Sequence, residues 1–330
     1  MRAAVITECG RPPSLVHRPG PTAGVGGAAV TVTAAPITPL DVLCASGTSY
    51  FGAPAVPYVP GVQGVGVLDD GTAVWFPTAA GMRPGDGSMA ERVVVPTGDV
   101  VPLPDGIDHR LVAALGLSGV AAWRALTWRG ELCPGEQVLV LGAGGVVGQA
   151  AVQIARLCGA RRVIAGARSV RAQDRARALG ADAVVALHDG EDVDSLAGRF
   201  RDAADGPVDL VLDPLFGVPA AAALRTLGPR GRLVNLGSSA AETAPFDSAT
   251  LRSGSLRVLG YTNNELTAGE RAATIGLIAG HIRAGRLVVE HESVPLTEVA
   301  AAWTRQADGT ATRRIVLVPG DGSDDGAGHG

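Results

Sequence analysis

Cysteine is scarce and badly placed for cross-linking. Cys9, Cys44, Cys133 and Cys158 are scattered along 330 residues, with no C-x-x-C pair and no close Cys/His cluster. That spacing excludes a disulfide framework and a structural zinc site, and leaves each thiol as a small buried or half-buried side chain. An excess of positive charge is also missing. The net charge is −4 and the pI about 5.9, so no global field attracts nucleic acid or an anionic membrane. No run reaches the roughly 18 uninterrupted apolar residues of a membrane span, and the N-terminal MRAAVITECGRPPSL lacks the long apolar core of a signal peptide. The expectation is a cytoplasmic protein with neither nucleic acid nor membrane as a partner. What is there is ordinary for a globular protein: 46% hydrophobic and 18% charged residues. The length suits about two domains with a large core.

The first third reads as β-rich. Residues 3–7, 28–34 and 92–95 are short β-branched or alternating runs, densely punctuated by Gly and Pro. Such a region builds twisted antiparallel sheet or a small barrel. The character changes near Leu111, where 111–126 is Ala- and Leu-rich with apolar residues on nearly every side, the pattern of a buried helix. A βαβ series follows. Strands are predicted over 137–141, 162–165, 183–186, 208–212 and 232–236, with helices over 146–158 and 171–179 stopped by Gly159 and Gly180. Alternating strands and helices imply a doubly wound parallel sheet. Beyond Tyr261 the pattern gives a helix over 268–284, a strand over 287–290, a short helix over 296–306 and a last strand over 314–318. The tail GDGSDDGAGHG is too polar and Gly-rich to bury anything and is expected to be disordered.

Between strand QVLVL and the following helix lies Gly142-Ala-Gly-Gly145-Val146-Val147-Gly148. Three glycines at this spacing have separate uses: a tight turn, close approach of backbone to a pyrophosphate, and close packing of helix on strand. The helix N-terminus adds N–H groups and the positive end of its dipole. In this strand–turn–helix setting the run points to a dinucleotide. At the end of the second strand, where an Asp or Glu would hold the ribose 2′-OH of NAD, the chain has no acid. Arg168 and Arg171 stand there, suited to bidentate recognition of a 2′-phosphate, and the expected cofactor is NADPH.

The chain resembles the medium-chain dehydrogenase/reductase superfamily, in its zeta-crystallin-like quinone oxidoreductase branch. The resemblance runs from Met1 to about Val318. It rests on MRAAVI (1–6), TPLDVLCASG (38–47), VPGVQGVGVL (59–68), GSMAERVVVP (87–96), the glycine loop, VDLVLDP (208–214), GRLVNLGS (231–238) and RRIVLV (313–318). It implies a Rossmann-type doubly wound α/β domain inserted in a split, β-rich GroES-like catalytic domain. The implied boundaries are 1–119 and 263–318 for the catalytic domain, 120–262 for the NADPH-binding domain, and 319–330 for the tail. It also implies a homodimer paired through the strand at 255–260.

Zinc-dependent relatives carry Cys where this chain has Thr38 and His-Glu where it has Val62-Gln63. The four-cysteine lobe of those relatives has no counterpart here. Thr and Val cannot replace thiolate and imidazole, so no metal is expected. The resemblance then implies hydride transfer from NADPH to a quinone or an activated C=C of a small molecule, as in an enoyl reductase. Tyr50 and Asn263 are the candidate catalytic residues. Tyr50 either donates to the substrate carbonyl or only packs, and Asn263 either touches substrate or belongs to a plain loop. Thr38, Asp41, Phe51, Gln63, Trp75 and Asn264 are placed at the substrate cleft, although Asp41 also reads as a structural hydrogen-bond acceptor. Trp75-Phe76, in place of the commoner small residues, suggests a bulky, flat or apolar substrate. Cofactor contacts fall to Gly142, Gly145, Val146, Val147, Gly148, Arg168, Arg171, Asn235, Gly237, Ser238 and Tyr261. Two departures stand out: Ala121 where relatives often have Thr near the nicotinamide, and Ala172 where they often have a Lys for the 2′-phosphate. Two alternatives stay open on the same fold: a tailoring enzyme of secondary metabolism (carbonyl reduction or non-redox chemistry), and a non-enzymatic NADPH-binding protein.

Overall fold

A computed structural model describes residues 1–320. The expected disorder of the tail from residue 321 onward lies outside the described residues. The chain divides into two compact units, Met1–Leu117 together with the chain from Ala268 onward, and Ser118–Thr267.

The first unit is built on a seven-stranded sheet. Its path runs His291–Pro295, Arg314–Val318, Gly27–Pro36, Gln63–Leu68, Ala73–Pro77, Val101–Pro102, with Arg92–Pro96 also paired to Gly27–Pro36. The first pair is parallel and the rest antiparallel, which agrees with the antiparallel β-rich reading. Ile6, Ile37, Phe76, Met89, Ile315 and Leu317 fill its core. Burial of these side chains is the main force holding the sheet to its helices. One expectation fails here. Residues 287–290 form no strand, and pairing with Arg314–Val318 begins at His291. Leu287 and Val289 alternate into the core as strand residues would, but burial alternation without a ladder partner is not a strand.

The second unit is a six-stranded, wholly parallel sheet in the order Ala183–Ala186, Arg162–Ala167, Gln137–Val140, Val208–Asp213, Leu227–Asn235, Arg257–Gly260. The doubly wound expectation is met. Strand order reverses between Gln137–Val140 and Val208–Asp213, and ligands of such sheets bind beyond the carboxyl ends of the strands at that switch. Leu139, Ile164, Val211 and Leu233 are completely buried, which is why these strands read as continuous apolar runs.

The helical stretch expected over 111–126 is the helix His109–Arg124, broken at Gly116 (φ 29, ψ −126) and followed by a π-helical turn, Ala125–Arg129. By length and composition alone this 21-residue stretch, whose most apolar 18-residue window has mean hydropathy 1.3, suffices to cross a membrane, which a count of uninterrupted apolar residues does not reveal. More than half of that stretch is buried inside the protein and a break interrupts it, so it reads as a core helix.

Candidate functional site

The glycine turn follows strand Gln137–Val140 and leads into helix Val146–Leu157. Gly142 takes a positive φ of 62°, which only glycine adopts without strain. A Cβ there would also sit 3.0 Å from side-chain atoms of both Leu215 and Pro214. Gly145 N-caps the helix without any side-chain cap, and its own N–H donates to the Gly142 carbonyl at 3.0 Å. A Cβ on Gly148 would collide with the Gly142 carbonyl oxygen and the Ala143 backbone. The helix therefore starts as close to the turn as backbone allows. Its first turn, Val146, Val147 and Gly148, carries the N–H groups that face along the axis toward the turn. Gly144 and Gly145 are exposed, and no side chain caps the helix, so the arrangement fits a pyrophosphate.

Beyond Arg162–Ala167 the chain turns into helix Val170–Ala178, capped by Ser169, whose hydroxyl accepts from Ala172 N–H at 3.2 Å. Arg168 and Arg171 are both exposed at this end. Ala172 faces the turn: a Cβ on Gly144 would lie 3.0 Å from its methyl. The Gly144–Ala172 pair thus brings the second helix against the phosphate turn, within the same unit as both arginines.

Sequence reasoning missed a network behind the turn. Asp213, at the end of Val208–Asp213, is fully buried. It accepts from Leu215 N–H at 2.9 Å and Phe216 N–H at 2.8 Å, and from the Asn235 amide at 2.9 Å. Burial pushes its carboxyl up from the ordinary range, and these donors oppose the shift. Asn235 spends a second contact on the Gly237 carbonyl, at 2.8 Å. Its side chain therefore braces two strand ends. The same network holds Pro214 and Leu215 against Gly142. The signal was present in VDLVLDP, an acid ending an otherwise apolar strand. Ser238 donates to Glu242 at 2.6 Å. Tyr261 donates its hydroxyl to Asn263 Oδ1 at 2.7 Å, while Asn264 is exposed on the short helix Asn263–Glu265.

In the first unit, Thr38 and Asp41 form a capping box on helix Pro39–Ser46. Asp41 Oδ2 accepts from Thr38 N–H at 2.8 Å and from the Thr38 hydroxyl at 2.6 Å, and its Oδ1 from Val62 N–H at 2.8 Å. Burial raises the Asp41 carboxyl and lowers buried Arg314 to about 10, with the attraction between them opposing both shifts. Asp41 is thus a structural acceptor. Gln63 and Trp75 are also buried, and Trp75 Nε1–H donates to Gln63 Oε1 at 3.1 Å. The expectation that Thr38, Asp41, Gln63 and Trp75 present their side chains to a substrate is corrected on this geometry: all four are buried and their polar groups bonded within the unit. Trp75 and Phe76 lie on an inner strand of the sheet, Ala73–Pro77, so their bulk fills protein interior and says nothing about substrate size. Tyr50 differs from these. It is 78% exposed just past the helix, with its ring tilted on half-buried Phe51 at 4.2 Å.

Among the described residues, no group of three or more His, Cys, Asp or Glu side chains is placed to hold a metal ion. Thr38, Val62 and Gln63 are buried and supply neither thiolate nor imidazole, so the residues present do not fit zinc.

The family described as zinc-binding dehydrogenases matches residues 146–279. A phenolphthiocerol/phthiocerol polyketide synthase of Mycobacterium tuberculosis is 30% identical over 89% of this chain, and the chain spans only 14% of that protein's length. The quinone oxidoreductase of Lama guanicoe is 29% identical, with 88% of each chain covered. Among solved structures, the quinone oxidoreductase of Thermus thermophilus, determined also in complex with NADPH, is 31% identical. It superposes with a TM-score of 0.79 over 96% of this chain and 100% of that one.

Proposed function

The chain belongs to the medium-chain dehydrogenase/reductase superfamily, in its quinone oxidoreductase branch, and on that premise we propose that it is an NADPH-dependent oxidoreductase that passes hydride to a quinone or an α,β-unsaturated carbonyl without a metal. The observation that carries this reading is the turn in which Gly148 lets the uncapped helix Val146–Leu157 approach the Gly142 backbone directly. NADPH, when bound, supplies the hydride. The first-turn N–H groups at Val146, Val147 and Gly148 take the pyrophosphate. Arg168 and Arg171 take the 2′-phosphate through charge-assisted, bidentate hydrogen bonds. Gly237, Ser238 and Tyr261, at and beyond the ends of the strands Leu227–Asn235 and Arg257–Gly260, border the cofactor.

Tyr50 is assigned as the donor to the substrate oxygen on which negative charge accumulates. It is the exposed hydroxyl among the first-unit candidates. Partial desolvation, with Cys44 nearby, pushes its phenol above the ordinary value, so it stays protonated and able to donate at neutral pH. Asn263, oriented by Tyr261, is the second polar group offered to substrate. Phe51 and Asn264, their neighbours in sequence, are assigned to the substrate with them. Thr38, Val62 and Gln63 do not fit zinc, so no step runs through a metal. The enzyme is assigned to the cytoplasm. The test is NADPH consumption at 340 nm with a panel of quinones and enones. Turnover of at least one supports the reading, and none across the panel rejects it.

The same premise gives an assembly. Arg257–Gly260 is an edge strand of the parallel sheet and its Val258 is 39% exposed. An uncovered edge of this kind pairs unless protected. A homodimer joined through it is expected, with twice the 33.3 kDa chain mass by light scattering. A monomeric mass at working concentration contradicts it.

A further inference from the structure

Gln63 has a role that the substrate-cleft expectation does not contain. The helix His109–Arg124 breaks at Gly116, whose backbone is far from helical. At that break the Gln63 side chain, 1% exposed, takes the place of a helical rung. Its Oε1 accepts from Leu117 N–H at 2.6 Å, and its Nε2 donates to the Ala113 carbonyl at 3.4 Å. One amide therefore binds an N–H on one side of the break and a C=O on the other. The second hydrogen bond to Oε1, from Trp75 Nε1, fixes the amide's rotation. The fit is close. A Cβ on Gly116 would collide with the Gln63 amide, so the break needs glycine both for its backbone angles and for the space that Gln63 fills.

The location gives this pin its consequence. The chain leaves the first unit at Leu117 and enters the second at Ser118. Leu117 N–H, the group Gln63 holds, belongs to the last residue before that crossing. Tyr50 belongs to the first unit and the glycine turn to the second. Buried hydrogen-bonded side chains with fixed rotamers hold the helix to a single path through its break. Hydride transfer depends steeply on the placement of donor and acceptor.

We propose that Gln63 is a positioning residue: its amide pins the broken helix at Gly116 and, through Leu117, fixes the point at which the chain passes from the unit carrying Tyr50 to the unit carrying the cofactor turn. The part concerning catalysis rests on the oxidoreductase reading above. The pin itself does not.

The test uses the full chain with Gln63→Met, which keeps volume and removes both hydrogen-bonding functions, and Gly116→Ala, which displaces Gln63 without touching any group assigned to substrate. Three readouts are taken: the indole N–H signal of Trp75, hydrogen exchange at the Leu117 amide, and kcat with NADPH affinity. In Gln63→Met the Trp75 signal should move upfield while those of Trp123, Trp128 and Trp303 stay. Exchange at Leu117 should speed up at least about tenfold as the local opening energy falls. kcat should drop roughly tenfold or more with the NADPH Kd changed less than twofold. Gly116→Ala should give the same split. If it does not fold, Gln63→Met alone decides. An unmoved Trp75 signal or unchanged Leu117 exchange overturns the pin. A raised substrate KM with kcat intact in Gln63→Met, absent in Gly116→Ala, makes Gln63 a substrate contact and overturns the proposal. Full kcat with Trp75 moved and Leu117 exchanging faster overturns its catalytic part. If no quinone or enone is turned over even by the unmodified chain, the oxidoreductase reading fails separately, and the indole and exchange data still decide the pin.

Discussion

The glycine turn of the second unit and the Thr38–Gln63 region of the first solve opposite problems. In the turn, side chains are kept away. Gly142, Gly144 and Gly148 each sit where a Cβ would meet a neighbour within about 3.0 Å or closer, so backbone N–H groups are left to face a ligand. In the Thr38–Gln63 region the side chains are the structure. The Asp41 carboxylate holds three hydrogens and the Gln63 carbonyl two, all from within the first unit. A group so committed has little left for a substrate, because breaking a buried hydrogen bond costs on the order of 1–3 kcal/mol. Polar residues that look alike in sequence therefore divide by burial. Tyr50 and Arg168, exposed, are free to recognise. Asp41 and Gln63, enclosed, are fixed to support.

The sharpest way to break this contrast is Gly148→Ala. Its methyl would be driven into the Gly142 carbonyl and the Ala143 backbone, neither of which can yield without opening the turn. Overpacking of this kind costs about 1–3 kcal/mol, and it falls on the groups assigned to the pyrophosphate. NADPH affinity should drop by roughly a hundredfold, read by calorimetry on folded protein. Normal affinity would mean that close backbone approach is not what binds the cofactor.

The next largest effect concerns Arg168 and Arg171. Replacing both with Ala should weaken NADPH far more than NADH, by roughly 1.5–3 kcal/mol in all, since both side chains are exposed and partly screened. Equal losses for both cofactors would show that these arginines do not read the 2′-phosphate. Gln173 already bonds the Ala167 and Arg168 carbonyls at 3.3 and 3.2 Å, so the strand end should hold its shape in the variant.

A smaller effect is expected at Tyr50. Tyr50→Phe keeps the ring on Phe51 and removes only the hydroxyl. Losing one oxyanion donor elsewhere costs on the order of 10²–10³ in kcat. An exposed donor should fall at or below the low end, with kcat reduced at least about tenfold and NADPH affinity unchanged. Unchanged kcat would reduce Tyr50 to packing and pass its role to Asn263 or to backbone.

Much of the second unit was legible because its signals are local. Continuous apolar strands such as Gln137–Val140 and stop signals such as Gly159, at φ 83°, are written over a few residues. The first unit is harder to read because its geometry depends on residues distant in sequence. Leu287 and Val289 alternate like a strand, yet the ladder depends on the partner Arg314–Val318, which begins opposite His291. The break at Gly116 lies far along the chain from Gln63, and their pairing carries no short-range mark. Asp213 was visible as an acid at a strand end, but its receipt of three hydrogen bonds depends on where Leu215, Phe216 and Asn235 arrive in space. Motifs that work by leaving side chains out survive in one dimension, whereas buried polar networks are properties of the folded chain.

The central claim, metal-free hydride transfer from NADPH, is tested most directly with NADPH carrying deuterium at both C4 positions of the nicotinamide and enzyme dialysed against a strong chelator. With the best enone of the panel, one deuterium should appear at the β-carbon of the product, seen by mass spectrometry and NMR, at a rate the chelator does not change. Product without deuterium, or activity lost on chelation and restored by zinc, would contradict it.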